Sequence, residues 1–313
     1  MKKHISICAL AVLLCASIFG VAKGGTEEFV IYDVDILVTD ANGNPIQDAS
    51  VRLYSKDWFI SYPQNDFART DSQGLCSLSI PRGRWVVVVG GGQTFNTARS
   101  GQALFLYAEV DIESNHLITI YPDHSTSILF CDRQGQITDV DGIYAATSAM
   151  VPNCMMPNVG TTGSGQCTLL TNLSEGLSLF FVRRPTTQQE GYYIFEDNLQ
   201  TTDTITIGAD MEDLKHIRFV LDPNDVGDIR TAVWHLCFPY QDRERANTFS
   251  SFVLTDQGHI YTNVEYLNYT LFLQVADVAN TGDVTYAFRY YGIDLSQSSS
   301  CTIIAARGLW PAH

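Results

Sequence analysis

Residues 34–55 read VDILVTDANGNPIQDASVRLYS, and residues 69–91 read RTDSQGLCSLSIPRGRWVVVVGG. The first stretch alternates apolar and polar residues on Val34, Ile36 and Val38, the period of a half-buried strand. Asp40-Ala41-Asn42-Gly43-Asn44-Pro45 then reads as a turn. Asp40 and Asn42 can bond their own backbone, Gly43 accepts positive φ, and Pro45 fixes φ on the way out. Ala49, Val51 and Leu53 share one face of a second strand. Thr70-Asp71-Ser72-Gln73-Gly74 turns into a strand with Cys76, Leu78 and Ile80 on its core face. Pro81-Arg82-Gly83 turns again, into Trp85 and four consecutive valines. Such a run suits a strand buried on both faces, or one covered by a neighbouring unit. Gly90 to Gly92 reads as a flexible loop, and Ala103–Val110 and Leu117–Tyr121 complete about seven strands.

Further along, the same plan returns. Gly165-Gln166-Cys167-Thr168-Leu169 matches Gly74-Leu75-Cys76-Ser77-Leu78, and Gly176 to Val182 matches Gly83 to Val89. Thr204 to Ile207 matches the closing Leu117 to Ile120. A third copy runs from Gly258-His259-Ile260 through Tyr269–Val275 and closes at Cys301–Ile304. The marker glycines Gly74, Gly165 and Gly258 lie about ninety residues apart, and each copy opens on a strand ending in Asp40, Asp132 or Asp222. This spacing predicts three tandem β-sandwich domains, over 23–121, 122–209 and 210–313. Met211–His216 reads as a helical turn into the third, and Met150–Thr162 as a long loop inserted in the second.

Before the first domain, Lys2, Lys3 and His4 precede an apolar run from Ile5 to Phe19 and the small residues Gly20-Val21-Ala22. That is the layout of a signal peptide over 1–22, and it predicts an exported protein, periplasmic, surface-bound or secreted. No later stretch is apolar enough to span a bilayer as a helix. The chain carries 19 basic and 34 acidic residues among 313. With no basic cluster to neutralise phosphates, nucleic-acid binding is disfavoured.

The matching residues Asp40, Gly43, Pro45, Ile46, Ala49, Val51, Thr70, Asp71, Gly74, Leu78, Gly83 and Val86 resemble the carboxypeptidase regulatory-like family. These are transthyretin-like (prealbumin-like) sandwiches that also resemble collagen-adhesin B-type repeats. The resemblance covers the first copy. The second lacks the proline, and the third replaces the turn with Asp222-Pro223-Asn224-Asp225-Val226-Gly227-Asp228. It implies an all-β chain of Ig-like or prealbumin-like sandwiches serving as accessory modules of exported bacterial proteins, and it implies no activity.

Six cysteines follow the leader: Cys76, Cys131, Cys154, Cys167, Cys237 and Cys301. An even count in an exported chain permits disulfides. Yet Cys76 and Cys167 hold the place of Ile260 in the third copy, which reads as a free, buried thiol; Cys154, on a loop, is the best member of any bridge. No metal-ligand spacing of cysteine and histidine occurs. Gly163-Ser164-Gly165 is the nearest approach to a nucleophile elbow and reads as a turn. His235 and His259 lie on strands of one domain and read as ordinary strand histidines.

The candidate ligand site is the aromatic loop Trp58, Phe59 and Tyr62 with Asp66 and Arg69. A weaker cluster is Trp234, Phe238, Tyr240 and Arg243. Aromatics on loops stack on sugars or fill a partner's pocket, and they also cap the ends of sandwiches. Asp222, Asn224, Asp225 and Asp228 form a candidate calcium loop, although Val226 stands where a ligand is needed; otherwise no cofactor is expected. The expectation is a non-catalytic interaction or structural module whose partner is a protein or glycan of the cell envelope. A carbohydrate-binding accessory protein and a hydrolase with carboxylates between domains are the alternatives.

Overall fold

A computed structural model of the chain describes residues 30–56, 61–62, 68–92, 95, 100–132, 134–147, 157–183, 190–201, 204–207, 214–221, 229–239, 246–254, 257–263, 266–276 and 284–305. Every element named among them is a β-strand. The first set comprises β1 (Ile31–Val38), β2 (Ser50–Ser55), β3 (Ser61–Tyr62), β4 (Ala68–Arg69), β5 (Leu75–Pro81), β6 (Gly83–Gly90), β7 (Gln102–Ile112) and β8 (His116–Ile120). The second comprises β9 (His124–Phe130), β10 (Gly142–Thr147), β11 (Asn158–Gly160), β12 (Gln166–Thr171), β13 (Leu177–Arg183), β14 (Glu190–Leu199) and β15 (Thr204–Ile207). The third comprises β16 (Lys215–Leu221), β17 (Ile229–Pro239), β18 (Ala246–Leu254), β19 (Gln257–Thr262), β20 (Tyr266–Ala276), β21 (Val284–Asp294) and β22 (Ser300–Ala305).

One pairing scheme recurs in all three sets. The opening strand lies between an antiparallel and a parallel neighbour: β5-β1-β8, then β12-β9-β15, then β19-β16-β22. Opposite it stands an antiparallel sheet, β2-β6-β7, β10-β13-β14 or β17-β20-β21. Short or long, a further strand flanks the first member of that sheet: β3 and β4 beside β2, β11 beside β10, β18 beside β17. In the second set the ring of Phe130 on β9 stacks on that of Phe181 on β13, centroids 5.8 Å apart, which joins the two sheets across the core.

Turn chemistry explains why the strands end where they do. The Asp40 carboxylate accepts the amides of Asn42 and Asn44, each at 2.8 Å, and Gly43 donates to the Asp40 carbonyl. Asp71 holds the amides of Gln73 and Leu75 in the same way, and Asp132 those of Gln134 and Gln136. These side chains close the turn in place of backbone. Gly74 turns at φ +73°, and a Cβ there would stand 2.5 Å from the Val38 carbonyl, so no other residue fits.

The valine run serves two cores. Val87 and Val89 face the interior of the first set with Val34, Ile36, Val38 and Ile80. Val86 and Val88 face a second cluster, with Phe105, Ile128, Phe130, Phe181, Ile217 and Ile260, which passes through all three sets. All four valines have no exposed surface. Contacts bind Ile31–His313 into one compact unit.

Three local expectations change. Gly90, Gly91 and Gly92 are buried: a Cβ on Gly91 would lie 2.3 Å from the Val159 carbonyl, and one on Gly92 1.3 Å from that of Asp48. They permit close packing and are not a flexible loop. Tyr62, read as loop, lies on β3 with its backbone opposite Leu53. Lys215 and His216, read as the end of a helical turn, open β16.

Candidate functional site

Of the aromatic loop, Trp58, Phe59 and Asp66 lie outside the described residues, and Tyr62 is placed by its backbone on β3. Arg69 on β4 bonds the Asp48 carboxylate at 2.6 Å. Asp48 holds φ at 62°, and its amide donates to the Thr70 carbonyl at 2.9 Å, so this ion pair braces a turn. The candidate calcium residues Asp222, Asn224, Asp225 and Asp228 also lie outside the described residues, as do Cys154, Tyr240 and Arg243. At the root of the aromatic loop, Lys56, Arg84, Trp85, Glu109, Val110 and Asp111 line a groove of about 170 Å³. That is small beside the ~300–1,000 Å³ of a typical ligand pocket. The hydrogen bond from Lys56, then that from the Tyr107 hydroxyl, holds the Glu109 carboxyl below its usual range. Glu109 is therefore an ion-pair partner and unsuited to donate a proton near neutrality.

The thiols of Cys76, Cys131, Cys167 and Cys301 are free, and the first three are buried. Ser164 sits at φ 54° on the exposed tip of a hairpin closed by two backbone hydrogen bonds between Gly163 and Gln166. This is the turn read from the sequence. His259 meets His216 on the neighbouring strand, with His259 Nδ1 2.9 Å from His216 Nε2. It does not share a sheet with His235, which lies on β17.

The most organised feature is one that the sequence reading missed, namely the way the sets are joined. The first four residues of β7, Gln102–Phe105, pair in parallel with Thr168–Thr171 of β12. The first four of β14, Glu190–Tyr193, pair in parallel with His259–Thr262 of β19. Each joint ends in the same clasp. Tyr107 donates its amide to Asn172 Oδ1 at 3.0 Å, and Asn172 Nδ2 donates to the Tyr107 carbonyl at 2.8 Å. Phe195 and Asn263 do likewise, at 2.9 and 2.6 Å. The asparagine side chain mimics one more residue of strand and satisfies both backbone groups of the residue it faces. The signal was present as Leu170-Thr171-Asn172 and Tyr261-Thr262-Asn263 at the end of equivalent strands.

Each joint has its own reinforcement. At the first, β11 lies on the other flank of β7, with Gly160 opposite Ala103; a Cβ on Gly160 would stand 2.0 Å from the Gln102 carbonyl. The second half of the expected 150–162 loop is thus a packing element. Ser100 and Thr161 hydroxyls meet at 3.0 Å, and Thr162 bonds Asp139, which also accepts the Gly165 amide. At the second joint a ladder of rings crosses the seam. The Arg183 guanidinium stands 5.6 Å from the Tyr192 ring, Tyr192 stacks on Tyr261 at 5.6 Å, and Tyr261 on His216 at 5.0 Å. Such cross-strand pairs hold register as well as position.

No family model and no curated protein matches the chain. Solved structures similar to it include the Bacillus anthracis TIE protein (11% identity, 88% of this chain and 50% of that one, TM-score 0.21). Others are BcpA, the major pilin subunit of Bacillus cereus (10%, 88% and 99%, TM-score 0.24), and a DUF3823 family protein from Parabacteroides merdae (9%, 85% and 100%, TM-score 0.21). The chain spans half the length of the first. At these scores the likeness carries no argument about function, and the all-β sandwich reading rests on the strand pairing itself.

Proposed function

We propose that the protein is an exported, non-catalytic interaction and structural module of the cell envelope, built from three tandem sandwich domains behind a signal peptide. The observation that supports this reading is the repeated joint. Tandem domains linked only by short peptides swing about their linkers. Here backbone pairing, an asparagine clasp and shared core residues fasten each set to the next. A chain fastened in this way holds distant surfaces at fixed separation, which is the property a scaffold or bridging protein needs. No described residue cluster adds a second reading of comparable weight.

The test is affinity capture of the tagged protein from cross-linked envelope fractions. One or a few envelope proteins should be enriched over a tag-only control. Absence of any enrichment, together with turnover of a hydrolase substrate by the purified protein, would overturn the reading.

A further inference from the structure

β7, β14 and β21 hold the same place in their sets: each is the last strand of its antiparallel sheet, bonded on one side to β6, β13 or β20. The opening residues of β7 and β14 are sealed on the other side by a parallel strand of the following set. In both, the seal starts at the strand's first residue, and the clasp falls on its sixth, Tyr107 or Phe195. β21 is the third member. Among the described residues it pairs with β20 alone. Counted from the strand's first residue, Val284-Thr285-Tyr286-Ala287 correspond to the two sealed segments, although here all four also pair with β20, and the same count places the clasp position at Arg289.

We infer that the outer edge of β21 is an acceptor for a parallel strand of another polypeptide, and that the segment it takes ends in Thr-Asn. The inference rests on the interaction-module reading and names the chemistry of the partner. An exposed strand edge is a template for further pairing. What singles this one out is that the chain twice completes the same edge with the same donor.

The occupant is a different chain and not a second copy of this one. In this chain the strand equivalent to β12 and β19 is β5, whose outer edge has no partner among the described residues. Its chemistry is wrong for the joint. Where β12 and β19 lead into Thr171-Asn172 and Thr262-Asn263, β5 ends in Ile80-Pro81. Pro81 has neither an N–H to extend the pairing nor an amide to clasp. The Leu75 amide is already held by Asp71 at 3.0 Å. The amides of Ser77 and Ser79 remain, because the bond from Val38 to the Gly74 carbonyl sets the alternation that turns them away from β1. Two amides without a clasp make a poorer donor than either internal strand.

The experiment titrates the purified protein into a fluorescent peptide of residues 257–263, QGHIYTN, and follows anisotropy, with hydrogen exchange to locate the contact. The expected result is binding with new protection confined to residues 284–294. An Asn263→Ala peptide should bind about tenfold more weakly, the loss of two backbone-directed hydrogen bonds, and a peptide of residues 73–81 should bind no better than that. Arg289→Pro in the protein should abolish binding, since it removes the amide that the clasp needs; where that variant fails to fold, the peptide series and the exchange map decide. The inference is overturned by absence of binding, by equal binding of the Ala peptide, or by protection elsewhere. Self-association abolished by Ser77→Pro would also overturn it, because β5 would then be the occupant. Failure here leaves the envelope capture result standing, so the two readings fail separately.

Discussion

Cys76 and Cys167 show how one residue's chemistry follows from its place. Each sits two positions after a turn glycine, where the third set has Ile260, and all three are buried. Burial, with the charges of Asp35 and Asp71 added, pushes the Cys76 thiol up to about 11. Burial alone pushes Cys167 up to about 12. An unfolded thiol ionises near pH 8.5. Between these values the unfolded chain loses protons that the folded chain keeps, so raising the pH favours unfolding. The stability that the neutral thiols confer is complete below pH ~8.5 and falls above it by at most ~1.4 kcal/mol per pH unit for each thiol. Denaturation midpoints measured from pH 8 to 10 should therefore decline, and the double variant Cys76→Val, Cys167→Val should decline less. Equal slopes in the two proteins would show that these thiols are not the titrating groups. The native thiols should also resist alkylation at pH 8, because the reactive thiolate is not formed.

At the scale of elements, much was legible because local chemistry decides it. Asp40, Asp71 and Asp132 close their turns with their own carboxylates, and alternation on Val34, Ile36 and Val38 marks the buried face of β1. The valine run Val86–Val89 announced burial on both faces or cover by a neighbouring unit, and the second core supplies that cover through Ile128, Phe130 and Phe181. Parallel pairing between sets was not legible, since it joins residues about seventy positions apart and leaves no periodicity in either strand. Its one written trace is the Thr-Asn pair at the end of β12 and β19. The triple glycine misled for a related reason: it meets the demand for close approach by Val159 and Asp48, which sequence alone does not display. Val86 and Val88 test the cover directly. Were that face exposed, Val88→Ala would change stability by less than ~0.5 kcal/mol. Packed against the second set, Val86→Ala and Val88→Ala should each cost ~1–3 kcal/mol, as much as Val87→Ala on the opposite face. Urea unfolding of the three variants checks this.

The whole molecule depends on whether the joints make the sets unfold together. The first joint has a position where the question can be put while the hydrogen bonds between β12 and β9 are kept. Thr168 donates its amide to the Gly101 carbonyl at 3.0 Å, across the joint. The bond from Phe130 to the Gly165 carbonyl sets the alternation of β12, so the Thr168 amide plays no part in pairing with β9. Proline at this position removes the crossing hydrogen bond and crowds the start of β7, while the pairing of β12 with β9 keeps its bonds. In the parent protein the shared core and the two-residue clasp should give the amides of β1, β6, β9 and β13 one common opening free energy, the behaviour of a single cooperative unit. In Thr168→Pro the amides of β1 and β6 should open independently of those of β9 and β13, with coupling reduced by ~1–2 kcal/mol for the lost bond and its disturbed neighbours. Native-state hydrogen exchange read by mass spectrometry separates the two groups of strands. If the variant retained one common opening energy, the parallel joint would be an incidental contact, and cohesion between the sets would have to come from the packing of Val86, Val88 and Phe105 alone.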